Sequence, residues 1–183
     1  MQMNLSSDRP GSAAELPDPG TLDHAGAARS ASMPSQIISF AIDDDQYGVD
    51  IMAVREIKGW SEITHLPRQP ESVRGVLNLR GAIVPIIDLR CRFGQGLTEA
   101  TPIHVVIIVQ VGARVVGLLA DRVLDIVSFD VTKVQPVPKI AQASRIDFLS
   151  GLVTVETSMI ALIDLQNLLS LPVGGEAERP LTN

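Results

Sequence analysis

The sequence GVLNLRGAIVPIIDLRCRFG, residues 75–94, decides the fold. Its apolar residues recur in the short runs that are typical of β-strands. Arg80 and Gly81 interrupt the stretch, and Pro85 lies inside it. Because a charge beside an apolar strand costs free energy unless it is paired, this interruption needs a physical explanation. Catalysis, folding and recognition are the three candidates.

The same pattern recurs further along the chain. When Gly75 is placed over Gly151, 76 residues later, Asp88 falls on Asp164, and apolar residues fall on apolar residues between them. Other identical pairs in this alignment are Ile87 with Ile163 and Leu89 with Leu165. Arg80 falls on Glu156, so the positive charge is not repeated.

A second alignment has a different spacing. When Gly48 is placed over Gly117, 69 residues later, the identical pairs are Ile38 with Ile107, Val54 with Val123 and Ile57 with Ile126. The proline-containing connectors at 65–72 and 134–144 absorb the difference in spacing. The order of the two matches predicts a duplicated module of about 60 residues with about five short strands. The predicted fold is all-β, with two five-stranded small barrels related by a pseudo-twofold axis and short helical segments.

Composition excludes several classes of protein. Apolar residues make up 45% of the chain, aromatic residues only 3%, and the net charge is −6. These values oppose nucleic-acid binding, which uses basic faces and aromatic stacking. A single cysteine excludes an internal disulfide, and the three scattered histidines form no HExxH motif. We therefore expect no metal, no cofactor and no nucleic-acid partner.

The chain ends differ from this middle part. Residues 1–34 are rich in Ser, Ala, Gly, Pro and Asp, which predicts a disordered N-terminal tail, and residues 171–183 predict a flexible C-terminal tail. The N-terminus lacks the apolar core of a secretory signal, and no apolar run reaches the roughly 18 residues of a membrane helix. We expect a cytoplasmic protein without membrane insertion.

Residues that could support catalysis have simpler explanations. Cys91 lies between Arg90 and Arg92, which would lower its pKa, but no motif ties a histidine to it. Asp88 and Asp164 are repeat equivalents, so we expect each to cap the short turn that follows it. No nucleophile elbow and no phosphate-binding loop is present, and we expect no catalytic residues and no enzyme activity.

Two explanations of Arg80 stay open at this point. One is an exposed arginine in a tight Arg80-Gly81 turn, with an ion pair to a carboxylate from the segment 54–57. The other is a guanidinium that is positioned in advance at a protein-binding groove, since arginine is enriched at interface hot spots. The residues alone do not choose between them.

The segments YGVDIMAVREI, HLPRQPESVRGVLNLRGAIVPIIDLRCRFG, VVGLLADRVLDIV and LIDLQNLL resemble CheW, the coupling-protein family of bacterial chemotaxis. The resemblance covers about residues 36–170 and is most specific in the run from Gly75 to Arg90. It implies a CheW-like domain over 35–170, with barrel halves near 36–98 and 102–170. It also allows segments to be exchanged between the barrels, so the boundary near residue 100 is approximate.

The resemblance implies a scaffold without catalysis. Such a protein joins the cytoplasmic tips of chemoreceptors to the regulatory domain of the histidine kinase CheA, and is recruited to membrane receptor arrays. The receptor-facing groove carried over by motif would be formed by Val54, Glu56, Arg80, Gly81, Gly117, Val123 and Ile126. The valines and Ile126 would form its floor, Glu56 and Arg80 would set the register of a helix, and the two glycines would permit close approach.

Two alternatives differ in pathway or class. A CheW-like adaptor could serve pilus motility or another chemosensory pathway through the same mechanism. A barrel that binds nucleic acid or a small ligand is the more distant alternative, and the net charge and the Asn78–Gly81 run oppose it.

Overall fold

The computed structural model describes residues 35–138 and 147–170. The predictions for the tails at 1–34 and 171–183 lie outside the described residues. Within them the chain forms ten strands and a few short helices. The strands are β1 (Ser35–Ile42), β2 (Asp45–Asp50), β3 (Val54–Gly59), β4 (Val73–Leu79), β5 (Ala82–Asp88), β6 (Val105–Val111), β7 (Arg114–Ala120), β8 (Arg122–Phe129), β9 (Leu149–Val155) and β10 (Ser158–Ile163).

The helices are short, and α1 and α2 stand at equivalent places in the two halves. They are α1 (Leu89–Arg92), α2 (Leu165–Ser170) and the one-turn 3-10 helices Ile51–Ala53 and Val131–Lys133. The strands form two five-stranded sheets. Sheet A has the order β8-β1-β2-β10-β9, and sheet B has the order β3-β6-β7-β5-β4. The predicted all-β class with two five-stranded units is confirmed.

Each sheet contains a hairpin from the other half of the chain. The β1–β2 hairpin joins sheet A beside β10, and the β6–β7 hairpin joins sheet B beside β5. These junctions are the parallel pairs of the fold, with Leu162 opposite Gly48 and Ile86 opposite Gly117. The two sheets are therefore not two contiguous halves of the chain.

The strand registers show the duplication directly. Ile38 faces Val49 in sheet A as Ile107 faces Leu118 in sheet B, and both pairs are related by the 69-residue spacing. The 76-residue spacing likewise relates Leu77 opposite Val84 to Val153 opposite Ile160. Even the β-bulges recur. Strand β3 skips Arg55 in its pairing with β6, and β8 skips the equivalent Leu124 in its pairing with β1.

Three apolar clusters form the core. The largest takes residues from both sheets, among them Phe40, Ile107, Leu118 and Leu168, each at 0% exposure. A second cluster fills sheet B around Ile86 and Ile108, and a third fills sheet A around Ile37 and Ile160. Because the exchanged hairpins contribute to the shared cluster, neither sheet buries its apolar face without the other half of the chain.

The Arg80-Gly81 interruption is a hairpin turn. All four hairpins have two-residue turns, and the first turn residue has a positive φ in each: 56° at Asp43, 51° at Arg80, 59° at Gly112 and 54° at Glu156. Positive φ is what tight hairpin turns require. The positive φ of the first turn residue therefore belongs to the duplicated frame. The cation at Arg80 and the positive φ of Gly81, 92°, have no counterpart in the equivalent turn at Glu156 and Thr157.

The capping prediction is borne out by the side-chain contacts. Asp88 accepts from the Cys91 backbone N–H at 3.1 Å, and Asp164 accepts from the Asn167 N–H at 3.0 Å. The environments differ, however, since Asp88 has 0% exposure and Asp164 is half-buried. Asp88 also accepts two 2.8 Å hydrogen bonds from Thr98, through its backbone N–H and its hydroxyl.

Arg74 completes the buried network around Asp88. Its Nη1 lies 3.3 Å from the Asp88 carboxylate and donates to the Thr98 carbonyl at 2.9 Å. The carboxylate is thus paired and hydrogen-bonded, which is the condition for burying a charge. The network ties the segment after α1 to strand β4.

Proline within a strand is typical of edge strands and bulges, but Pro85 lies at neither. It lies in β5, between β4 and β7, and pairs with Val76 in regular register. The parallel ladder to β7 covers only Ile86 to Asp88, so it begins one residue after the proline. A residue without an N–H fits there because no hydrogen bond to β7 is made at that position.

The two aspartates offer a matched test of the buried network. We expect Asp88→Asn to lower the free energy of unfolding by about 2–4 kcal/mol, since it removes the charge that Arg74 and Thr98 satisfy. Asp164→Asn, at the equivalent position, should cost under about 1 kcal/mol. Urea denaturation of both variants measures the difference. Equal losses would contradict the assigned role of Asp88.

Candidate functional site

An ion pair crosses the open side of sheet B. Arg80 Nη2 lies 2.9 Å from Glu56 Oε2, joining the β4–β5 turn to edge strand β3. The Glu56 side chain is 24% exposed and the Arg80 side chain 84%. The other carboxylate oxygen of Glu56, Oε1, is buried and accepts no hydrogen bond from the described residues. The carboxylate therefore orients one edge of the guanidinium, while most of the arginine remains open to a partner.

The turn itself is held by a side chain. Asn78 Oδ1 accepts a hydrogen bond from the Gly81 N–H at 2.9 Å. Gly81 has a φ of 92°, and a Cβ built on it would meet no atom within 4 Å. Gly81 is thus required by backbone conformation, and the space beside it is open. The expected ion pair to a carboxylate from segment 54–57 is confirmed, and Arg80 is an exposed turn residue. The role of Arg80 at a protein-binding groove stays a prediction.

Val54 and Val123 occupy equivalent places in the two sheets. Val54 begins β3, the edge strand of sheet B, and Val123 lies in β8, the edge strand of sheet A. Both are half-buried and pack against the cluster shared by the two sheets. The duplication thus places the two valines on the same core from opposite sheets, as expected for residues that line a boundary between barrels.

Ile126 lies on the open side of sheet A. Its side chain is 56% exposed and lines a crevice of about 410 Å³ together with Asp125, Glu156 and Ser39. Asp125 and Glu156 are the repeat equivalents of Glu56 and Arg80. Where sheet B has an ion pair, sheet A therefore has two carboxylates. The equivalent positions therefore carry a paired cation and carboxylate in sheet B, and only negative charge in sheet A.

Gly117 does not face a groove, and its predicted role in close approach to a partner is wrong. It is buried in β7, and a Cβ built there would lie 2.5 Å from Ile86 Cδ1 and 2.7 Å from Val106 Cγ1. Its equivalent Gly48 meets Ile37 at 2.6 Å in the same way. Gly117 is a packing residue of the barrel interior.

The expected lowering of the Cys91 pKa is also wrong. Burial raises the pKa of this thiol, and the nearby carboxylates of Asp88 and Glu71 raise it further. Arg74 and Arg92 act in the opposite direction but do not outweigh these effects. A raised pKa keeps the thiol protonated and poorly nucleophilic. Over residues 35–138 and 147–170, no three His, Cys, Asp or Glu side chains are grouped as metal ligands would be.

Comparison with known proteins identifies the family. The family model described as CheW-like domain matches residues 36–173. The chain belongs to the CheW-like family. The chemotaxis protein CheW of Rhizobium meliloti (strain 1021) is 44% identical to it over 132 residues, 72% of this chain and 85% of that protein. Protein FrzA of Myxococcus xanthus is 30% identical over 111 residues, 61% of this chain and 69% of that protein.

A solved CheW structure has the same architecture. The crystal structure of the scaffolding protein TtCheW from Thermoanaerobacter tengcongensis matches with a TM-score of 0.70 at 33% identity. The match covers 76% of this chain and 94% of that protein. The CheW resemblance found in the sequence is confirmed. In the part of this chain that the structure describes, no helix has the length and apolar character needed to cross a bilayer.

Exposed apolar residues near the ion pair were missed by sequence reasoning. Ile57 on β3 is 42% exposed and Ile83 on β5 is 65% exposed, and their equivalents Ile126 and Met159 are 56% and 58% exposed. A possible signal was the recurrence of apolar residues at these repeat positions. Recurrence alone, however, does not distinguish a residue that builds the core from one that faces solvent.

The buried position of Gly117 gives a test. We expect Gly117→Ala to lower the free energy of unfolding by about 1–3 kcal/mol, because the new methyl group overlaps Ile86 and Val106. Gly59→Ala is the control, since Gly59 lies in β3 with no atom within 4 Å of its Cβ. Thermal or urea unfolding measures both. A Gly117→Ala variant as stable as the control would refute the packing role.

Proposed function

We propose that this CheW-like chain is a non-catalytic adaptor in chemosensory signalling. It couples the cytoplasmic tips of chemoreceptors to the regulatory domain of the histidine kinase CheA, and works in the cytoplasm at membrane receptor arrays. The family membership and the similarity to a scaffolding protein support the adaptor role. The partners are inferred from the resemblance described above.

The observation that carries the receptor part of the proposal is the Glu56–Arg80 pair. An ion pair so exposed contributes little to stability, so stability does not explain it. What it does is fix the direction of an arginine that is mostly open to solvent. A guanidinium held in this way loses less side-chain entropy when a partner binds.

The proposed receptor site combines this cation of sheet B with apolar residues from both sheets. Val54 and Val123 offer half-buried apolar surface, and Ile126 offers exposed apolar surface. An amphipathic helix from a receptor tip would lay its apolar face on such residues and direct an acceptor toward Arg80. Gly81 contributes space, whereas Gly117 acts only through packing of the barrel.

Similarity to FrzA supports a second candidate within the same mechanism. That relative comes from Myxococcus xanthus and has a name distinct from the CheW proteins. The chain could therefore serve another chemosensory system, including one that drives pilus motility. The distinction lies in which receptor and kinase it binds, because the adaptor mechanism is common to both.

Charge reversal at Arg80 tests the receptor site. We expect Arg80→Glu to weaken binding of a receptor cytoplasmic fragment by about tenfold or more, since it removes the cation and repels Glu56. The fold should persist, because the side chain is exposed. Arg114→Glu, at an exposed position in another hairpin of sheet B, is the matched control. Pull-down and titration with the purified fragment measure both variants.

A double variant with exchanged charges distinguishes receptor binding from the structural contact between the β4–β5 turn and β3. The double variant Glu56→Arg with Arg80→Glu restores an ion pair of reversed direction, so the turn stays linked to β3 by an ion pair. We expect receptor binding to remain as weak as in Arg80→Glu alone. Recovery of binding in the double variant, or undiminished binding by folded Arg80→Glu, would refute the assignment.

A further inference from the structure

A crevice outside the proposed receptor site is open in one half of the molecule. Its volume is about 580 Å³, and it lies where α2 and β10 meet the β2–β3 and β6–β7 connections. Its lining includes Asp50, Gln110, Ser150, Asp164 and Gln166. None of the seven residues proposed for receptor binding lines it.

The equivalent place in the other half is filled by the chain itself. There Thr98, which is 3% exposed, gives its N–H and its hydroxyl to Asp88 at 2.8 Å. Arg74 supplies the cation that pairs with Asp88. Arg90 closes the outer side through an ion pair of 2.6 Å with Asp121. An extended segment with a hydroxyl group, together with a cation, thus occupies this kind of crevice.

Three groups that surround Asp88 in the filled crevice are replaced in the open one, and the equivalent of Thr98, position 174, lies outside the described residues. Asp164 is retained as the equivalent of Asp88, but Arg74 is replaced by Ser150 and Arg90 by Gln166. Asp121 is replaced by Met52, which is 87% exposed.

The open crevice is also acidic and rich in acceptors. Asp50, the equivalent of Leu119, adds a second carboxylate. Among the described residues that line the crevice there is no basic side chain. Gln110 Nε2 donates to the Gly112 carbonyl at 2.7 Å, while its Oε1 is buried and has no hydrogen-bond partner among the described residues. Asn167 donates its backbone N–H and its side-chain amide to the two Asp164 oxygens, each at 3.0 Å, and each oxygen can accept one further hydrogen bond. The occupant that complements these remaining sites brings donors and positive charge.

We propose that this crevice docks an extended segment of a partner protein that carries a Ser or Thr next to a Lys or Arg. The hydroxyl and backbone N–H bind Asp164, as Thr98 binds Asp88, and the basic side chain takes the place that Arg74 fills in the other half. Charge complementarity and the internal template both select this chemistry. The site gives the chain a second protein contact that uses none of the seven residues proposed for receptor binding.

A peptide copied from the template tests the proposal on the full chain. The probe is an acetylated, amidated peptide of residues 95–101 with Glu99→Arg, and the control peptides are the unaltered sequence and the probe with Thr98→Val. We expect the probe to give saturable NMR shifts at the amides of Ser150, Asp164 and Gln166. Each control peptide should bind about tenfold more weakly, since it lacks the cation or the hydroxyl.

Variants of the protein make the test specific. Ser150→Arg supplies in the chain the cation that Arg74 supplies in the other half, and should abolish peptide binding without loss of stability. Thr154→Arg adds the same charge on the same strand, at an exposed position outside the crevice, and should leave binding unchanged. Asp164→Asn should weaken binding about tenfold.

Several results would overturn the proposal. One is the absence of saturable shifts at millimolar probe, and another is equal binding of the unaltered peptide or full binding by Ser150→Arg. If deleting residues 171–183 raised the probe affinity about tenfold, the occupant would be this chain's own C-terminus rather than a partner. A concentration-dependent dimer that Ser150→Arg abolishes would assign the crevice to a second copy.

Discussion

The parallel pairing between strands from opposite halves of the chain is the constraint on which the structure depends. Strand β5 pairs with β7, and β10 pairs with β2, in the same register. Each pair brings a glycine, Gly117 or Gly48, against the partner strand where a methyl group would collide with the interior. Because each hairpin completes the other sheet, the two sheets share one core and fold as one unit.

The proposed functions arise at positions where the two halves of the duplicated structure carry different side chains. Arg80 and Glu156 both begin a hairpin turn with a positive φ, 51° and 54°, but only Arg80 is a cation. Glu56 and Asp125 are likewise equivalent, yet only Glu56 has an arginine opposite it. Duplication fixes where a side chain stands, so a substitution at one copy changes the chemistry of a surface without disturbing the fold. The same reasoning distinguishes the filled crevice at Asp88 from the open one at Asp164.

Much of the fold was predictable because duplication leaves matching spacings in the sequence. The offsets of 76 and 69 residues correspond to the observed strand registers, and the capping roles of Asp88 and Asp164 followed from their equivalence. Which sheet each hairpin joins was not predictable, since alternation specifies a strand but not its partner. The burial of Gly117 and the raised pKa of Cys91 depend on contacts with Ile86, Val106 and Glu71 that no local pattern encodes. The Arg74–Asp88–Thr98 network was missed for the same reason.

The adaptor role is tested most directly by co-purification of the full chain with a receptor cytoplasmic fragment and a kinase regulatory domain, separately and together. We expect each partner to be retained when it is added alone, and all three proteins to elute as one complex when they are added together. Arg80→Glu should lose the receptor fragment and keep the kinase domain. A folded chain that retains neither partner, or from which one partner displaces the other, would contradict the coupling function.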